Sequence, residues 1–344
     1  MADNKTVAVI MAGGSGTRFW PLSQRNKPKQ YLGLLGARTL IQQTADRIAA
    51  VAQPKNTFVV STSSQRPFLD EQLPSLGGWM LEPAAKNTAP CLMLALADLL
   101  KRGYSPDTVM LVLPADHHIA NTAAFAASLN LAIESAREEG ALVTLGIKPD
   151  HAHTGYGYIE AGEETSKGVH KVKKFVEKPT FDKAAQYLRA GNYYWNGGIF
   201  VWTLASLKSA FETFCPDSWQ KISTSPESAL PAVYESLKSE PVDIAIMEKA
   251  EKVRVVPAEM GWSDIGSWDA LYRLLAKDSQ QNAQLTGESL FVQSQGCMTS
   301  VPAGKKVSVI GAKNLVIVDT GDALLIVDRG QDQLVREAAK HFDK

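Results

Sequence analysis

The chain has 344 residues, and its 36 Lys and Arg balance 36 Asp and Glu to a formal net charge of zero. That balance argues against a nucleic-acid-binding surface or a polybasic membrane patch, and no apolar stretch approaches the roughly 20 residues of a membrane span. Cys91, Cys215 and Cys297 are far apart and odd in number, which suggests neither a disulfide framework nor a Cys-x-x-Cys metal pair, but buried small hydrophobes in a reducing compartment.

The first residues, Met1-Ala2-Asp3-Asn4-Lys5, carry no signal-peptide core, so a cytoplasmic location is expected. The apolar run Val7–Met11 predicts a buried strand that opens into Ala12-Gly13-Gly14-Ser15-Gly16-Thr17-Arg18. Glycines there let backbone N–H groups close around phosphate oxygens, and Arg18 and Lys29 bring positive charge to the same place. Two familiar phosphate loops are excluded by spacing. No lysine follows Gly16, as a P-loop requires, and Phe19 stands where a dinucleotide fingerprint has its third glycine.

Strand-like runs at Thr57–Ser61, Val109–Leu113 and Leu142–Ile147 alternate with helical patterns at Leu40–Val51, Ala89–Leu100 and Ala123–Arg137. Runs buried on both faces and separated by helices predict a Rossmann-like α/β fold, with a largely parallel sheet wrapped on both sides. Ligands bind such sheets at the carboxyl ends of strands. The glycine loop and Pro114-Ala115-Asp116 both follow such ends. An isolated Asp116 would be read as a helix cap. A second carboxylate, Asp264, in the tryptophan-rich Gly261-Trp262-Ser263-Asp264-Ile265-Gly266-Ser267-Trp268, favours a pair of hard oxygen ligands for a divalent cation. His117 and His118 lack a third ligand at zinc spacing.

Further along, Tyr156–Ala161, Val169–Val176 and Gly198–Trp202 read as strands, with helices near Phe181–Ala190, Leu204–Phe214 and Asp243–Lys249. Together they suggest an antiparallel or mixed lid over the carboxyl edge of the main sheet. Beyond Asn282 short extended pieces follow: Ser289–Gln293, Met298–Val301, Lys306–Ile310, Leu315–Val318 and Ala323–Val327, then a helix near Gln333–Phe342. Their spacing fits either a small sandwich or a coil of a β-helix.

The order G-G-x-G-T-R-x-x-P-L followed by P-K resembles the signature of the sugar-nucleotide pyrophosphorylases, nucleotidyltransferases that join a sugar 1-phosphate to a nucleoside triphosphate. The variant with Phe19-Trp20-Pro21-Leu22-Ser23 and Pro28-Lys29-Gln30 most resembles the bacterial branch that makes GDP-mannose. The resemblance implies a nucleotidyltransferase domain over 1–281, with a nucleotide half to about 150 and a sugar-binding lid over 151–281. A left-handed β-helix-like segment with a terminal helix is implied for 282–344, without the isomerase domain that some relatives carry.

The implied reaction transfers GMP from GTP to α-D-mannose 1-phosphate and releases pyrophosphate. Mg²⁺ is the implied cofactor, with Mn²⁺ as a substitute, and a homodimer through the C-terminal segment is implied. By the same resemblance the nucleotide is held by Ala12, Gly13, Gly14, Ser15, Gly16, Thr17, Arg18, Lys29, Glu82, Asn87 and Asp116. Asn87 reads equally as the cap of the helix beginning near Ala89. The sugar falls to Gly155, Glu177, Lys178, Asn196 and Asp264, and the metal to Asp116 and Asp264. Arg18, Lys29, Asp116, Lys178 and Asp264 are the implied catalytic set. Other sugar 1-phosphates, such as glucose or a manno-heptose, stay open as substrates. A non-catalytic sugar-nucleotide-binding regulator is disfavoured by the intact set of cations and carboxylates, and a metal-dependent glycosyltransferase by the leading loop.

Overall fold

The computed structural model describes residues 6–14 and 16–342. The chain divides into two compact units, one of Met1–Gly13, Thr44–Ala115 and Ile119–Trp262, the other of Gly14–Gln43, Asp116–His118 and Ser263–Lys344.

The first unit is built on one nine-stranded sheet. Its strands are β1 (Thr6–Met11), β2 (Thr57–Thr62), β3 (Gly78–Glu82), β4 (Val109–Pro114), β5 (Leu142–Ile147), β6 (Tyr158–Ser166), β7 (Val169–Val176), β8 (Tyr193–Thr203) and β9 (Val253–Pro257). The order is β3-β2-β1-β4-β8-β5-β9-β7-β6. β1 pairs in parallel with β2 and β4, β2 with β3, and β5 with β9. β8 lies antiparallel between β4 and β5, and β7 antiparallel to β9 and β6. All strands except β7 and β8 therefore point the same way.

Alternate residues of β1 enter opposite cores, because side chains alternate across a sheet. Val7 and Val9 join Met110, Val112 and the apolar side of helix Thr88–Lys101. Ala8 joins Leu111, Val143 and residues of helix Thr122–Glu139, including Phe125 and Leu129. Both faces are thus covered, which is why these strands read as unbroken apolar runs. The strands of the segment expected as a lid belong to this same sheet. β8 also pairs with β6, through Tyr158↔Trp195 and Glu160↔Tyr193, so the β6–β7 hairpin extends the same hydrogen-bonded layer.

In the second unit, β10 (Ala283–Thr286), β12 (Met298–Ser300), β14 (Leu315–Asp319) and β15 (Leu324–Asp328) form one sheet, and β11 (Glu288–Val292) and β13 (Lys306–Ile310) another. β10, β12 and β14 stack in parallel, as do β11 and β13, while β15 closes the first sheet antiparallel. Successive coils with parallel rungs make this a β-helix-like domain and not a sandwich of hairpins. Its core joins Met298, Val316, Val318 and Val335 to Phe19, Trp20, Trp268 and Leu271. Cys91 and Cys297 are buried, Cys215 is half-buried, and all three are free.

Candidate active site

The phosphate-side candidates fall mostly in the second unit. Gly16 has φ 64, and a Cβ there would lie 2.4 Å from the Cβ of Lys29, so only glycine lets the loop close on that lysine. Gln30 donates from Nε2 to the Gly14 carbonyl at 3.1 Å and pins the loop. Thr17 is half-buried and Arg18 exposed; Ser15 lies outside the described residues.

Lys29 is 4 % exposed and sits in the short turn Lys29–Tyr31. Its Nζ lies 2.8 Å from Asp116 Oδ2 and donates to the backbone carbonyl of Asp264 at 2.7 Å, within 5.5 Å of the centre of the Phe19 ring. Residues 29, 116 and 264 are thereby drawn to one point. Burial tends to raise the Asp116 carboxyl, but the Lys29 ammonium, with help from His117, more than offsets it and holds the group below its ordinary value. Asp116 is no helix cap, since Asn121 caps the helix at Thr122. Asp264 accepts from the Gly266 N–H at Oδ1, 3.0 Å, which steadies its carboxylate.

Among the described residues no cluster of three or more His, Cys, Asp or Glu is arranged for a metal. Mg²⁺ needs only one or two carboxylates, with phosphate and water completing its shell. An ionised Asp116 and a hydrogen-bonded Asp264 are the hard oxygen donors such an ion takes, so the residues present fit it.

The nucleoside-side candidates lie in the first unit. Ala12 follows β1 and is fixed at both polar groups, its N–H donating to Val60 and its carbonyl accepting from Ser61 Oγ. Gly13 is exposed, and a Cβ on it would lie 3.6 Å from Glu82 Oε2. Glu82, at the end of β3, is buried, and Tyr234 Oη donates to its Oε1. Burial pushes the Glu82 carboxyl up, and the tyrosine bond pulls it part of the way back. Asn87 is the cap of helix Thr88–Lys101, accepting from the Thr88 N–H at 2.9 Å, and it holds φ 69 while exposed. A non-glycine residue in that region marks a constrained backbone.

Of the sugar-side candidates all but Asp264 lie in the first unit, and Glu177, Lys178 and Asn196 meet where β6, β7 and β8 run together. Glu177 and Lys178 follow β7, with Lys178 Nζ 2.9 Å from Glu177 Oε1 and Lys178 at φ 46. The Glu177 N–H donates to Glu248 Oε1 at 3.1 Å. Asn196, on β8, donates from Nδ2 to Asp243 Oδ1 at 2.6 Å. A Cβ on Gly157 would fall 2.6 Å from Glu177 Oε2 and 3.3 Å from the Asn196 Cβ. Gly157 is therefore the glycine that makes room for this cluster. Gly155, named from sequence, borders His153 instead, and its N–H donates to His153 Nδ1 at 3.1 Å.

Four contributors have no role assigned from sequence: Gln30, Gly157, Tyr234 and Asp243. Asp243 carries a usable signal, a carboxylate inside the apolar run Val242-Asp243-Ile244-Ala245-Ile246, the same kind of signal that singles out Asp264. Burial, then Glu177, pushes its carboxyl up to about 6, against the pull of its own backbone N–H, the Asn196 N–H and Lys178. Nothing local marks Tyr234.

Residues 7–281 match the family model for nucleotidyl transferase, and residues 287–341 match that for a MannoseP isomerase/GMP-like beta-helix domain. A Vibrio cholerae protein named putative mannose-1-phosphate guanylyltransferase is 37 % identical, the match covering 98 % of this chain and 74 % of the relative. Mannose-1-phosphate guanylyltransferase of Escherichia coli is 37 % identical, covering 96 % and 73 %. A crystal structure from Thermus thermophilus, described as mannose-1-phosphate geranyltransferase, superposes with a TM-score of 0.91 at 34 % identity, covering 99 % of this chain and 100 % of that one.

Proposed function

The chain belongs to the nucleotidyl transferase family, and from that premise we propose that it transfers GMP from GTP to α-D-mannose 1-phosphate, giving GDP-mannose and pyrophosphate. The observation that carries the nucleotidyl-transfer chemistry is the buried Lys29 bound to Asp116 and to the carbonyl of Asp264. The choice of mannose and guanine is supported by the names of the relatives.

The sugar phosphate already presents an anionic oxygen, so its attack on the α-phosphorus needs no general base. The barrier is charge repulsion and alignment, which fixed cations and backbone N–H groups lower. Lys29, Arg18 and the loop that Gln30 pins would hold the triphosphate and stabilise the departing pyrophosphate. Lys29 compensates the Asp116 carboxylate and would share its ammonium with a phosphate oxygen. Lys178 would align the attacking phosphate, with Glu177 and Asn196 at the sugar and Glu82 and Asn87 at the nucleoside. Asp116 and Asp264 would hold Mg²⁺, or Mn²⁺ in its place, which when bound supplies charge neutralisation at the phosphates.

No helix among the described residues is long and apolar enough to cross a membrane; we assign the enzyme to the cytoplasm. The proposal also includes a domain division near 281 and a homodimer through the C-terminal segment, where the exposed Leu290, Ile310 and Ile326 support it.

The test is pyrophosphate release from GTP, ATP, UTP and dTTP with Mg²⁺ and a panel of sugar 1-phosphates. GTP with mannose 1-phosphate should lead clearly, and EDTA should abolish turnover. A preference for UTP or dTTP would overturn the guanylyl assignment, and a preference for glucose 1-phosphate the mannosyl one.

A further inference from the structure

The sequence places Asn196 at the sugar, yet most of its hydrogen-bonding capacity is committed within the protein. Its Oδ1 accepts from Thr144 Oγ1 at 3.1 Å and from the Gly198 N–H at 3.2 Å. A backbone N–H can only donate, so the amide orientation is fixed and Nδ2 must face Asp243, to which it donates at 2.6 Å. Only one amide hydrogen is left for anything else. Asp243, by contrast, accepts this bond and one from its own backbone N–H, and two carboxylate oxygens have acceptor capacity beyond both.

The surroundings give Asp243 a functional setting. It begins the turn Asp243–Met247, whose Ala245, Ile246 and Met247 are buried, so the backbone that carries it is anchored. The Val242 N–H before it donates to Thr88 Oγ1 at 2.8 Å. Glu177 and Lys178 both act electrostatically on it. A structural role would not require a second carboxylate beside Glu177, because two like charges in a half-buried place oppose folding. Sugar hydroxyls, which donate, are the ligands two adjacent acceptors suit.

We infer that Asp243 is a specificity-determining residue that accepts a hydroxyl hydrogen bond from the hexose beside Glu177, and that Asn196 is a positioning residue acting through it. This deepens the proposed function and rests on it. Asn196 then contributes by holding Asp243 Oδ1 and so fixing the orientation of the carboxylate toward the sugar.

The experiment is a double-mutant cycle on steady-state kinetics, with Asn196→Ala, Asp243→Ala and both together, and Asp243→Asn as the conservative variant. Wild-type turnover of mannose 1-phosphate with GTP is the gate: its absence defeats the proposed function, and this inference with it. Given an active wild type, Asp243→Asn should raise KM for mannose 1-phosphate by about ten-fold, the scale of one hydrogen bond to a charged group, with KM for GTP nearly unchanged. Asn196→Ala should raise the same constant in the wild-type background and add little once Asp243 is alanine. Deoxy analogues of mannose 1-phosphate should identify one hydroxyl whose removal erases the penalty of Asp243→Asn. Independent, additive effects of the two sites would overturn the positioning role of Asn196. An unchanged sugar constant in Asp243→Asn, or equal rises for both substrates, would overturn the role of Asp243.

Discussion

Replacing Asp243 by asparagine should make the protein more stable at neutral pH while making it a poorer enzyme. Folding moves the Asp243 carboxyl from its ordinary 3.8 up to about 6, chiefly through burial and then through Glu177. The native state thus binds that proton more tightly than the unfolded chain does. Its contribution to stability is present below pH about 4, is lost as pH rises through about 6, and stays lost above. The displacement corresponds to about 3 kcal/mol as an upper bound. Partial exposure of the group and the weaker bond from Asn196 once the charge is gone reduce this to about 1–2 kcal/mol. The new side chain keeps an acceptor for Asn196 and brings N–H donors to Glu177. Thermal unfolding of both proteins from pH about 4 to about 8 should show the variant melting a few degrees higher at the alkaline end, with the gap closing toward acid. Other carboxylates cancel in the comparison. A variant that melts lower throughout, or a gap that does not depend on pH, would refute the account of Asp243 as a charge retained against the interests of folding.

Asp116→Asn and Asp264→Asn should each reduce turnover by at least about 100-fold, the scale of one electrostatic catalytic element, and near-normal rates across a magnesium titration would exclude either as a metal ligand. Lys178→Ala should raise KM for mannose 1-phosphate and lower turnover while sparing KM for GTP; a lysine of purely structural value would disturb both constants and the melting temperature. Gly157→Ala places a methyl 2.6 Å from Glu177 Oε2, so it should displace that carboxylate and weaken sugar binding with little change in Tm, because the far end of a side chain can move. Tyr234→Phe removes the donor to Glu82 and should raise KM for GTP by up to about ten-fold while destabilising the fold by ~1 kcal/mol, both measurable on one preparation.

What is legible in the sequence follows its local physics. Helices Phe181–Ala190 and Leu204–Phe214 and strands Leu142–Ile147 and Lys306–Ile310 have the bounds expected from periodicity. β8 is recognisable only from Gly198, because Asn196-Gly197-Gly198 reads as a break, whereas the strand begins at Tyr193. Nor does its pattern announce that it inserts antiparallel between β4 and β5; that pairing depends on partners remote in sequence. β3 and β9 are short runs without alternation and give no periodic signal. In the site, Lys29 and Asp116 are legible from the loop and the strand end, but their ion pair is not. Asp243 carries the same local signal as Asp264, a carboxylate within an apolar run, but in a helical pattern such a residue is ordinarily read as part of a solvated face. The choice of Gly157 over Gly155 beside Glu177 requires a three-dimensional neighbour.

β8 has a mechanical consequence. It is paired toward its end with β4, from Trp195 to Val201 with β5, and at its beginning with β6 of the hairpin. Asn196 is opposite Gly146 of β5, next to Trp195, which is paired both with Ile147 of β5 and with Tyr158 of β6. To swing the hairpin relative to the core, the chain would have to break ladder bonds on a strand whose side chains Phe200, Val201 and Trp202 are fully packed. The β6–β7 hairpin is therefore a cantilever of the nine-stranded sheet and not a hinged flap. On the proposed function, discrimination among hexoses would fall on a surface already shaped by the sheet, a regime in which swapping a few residues along one strand would retune the substrate without disturbing the frame.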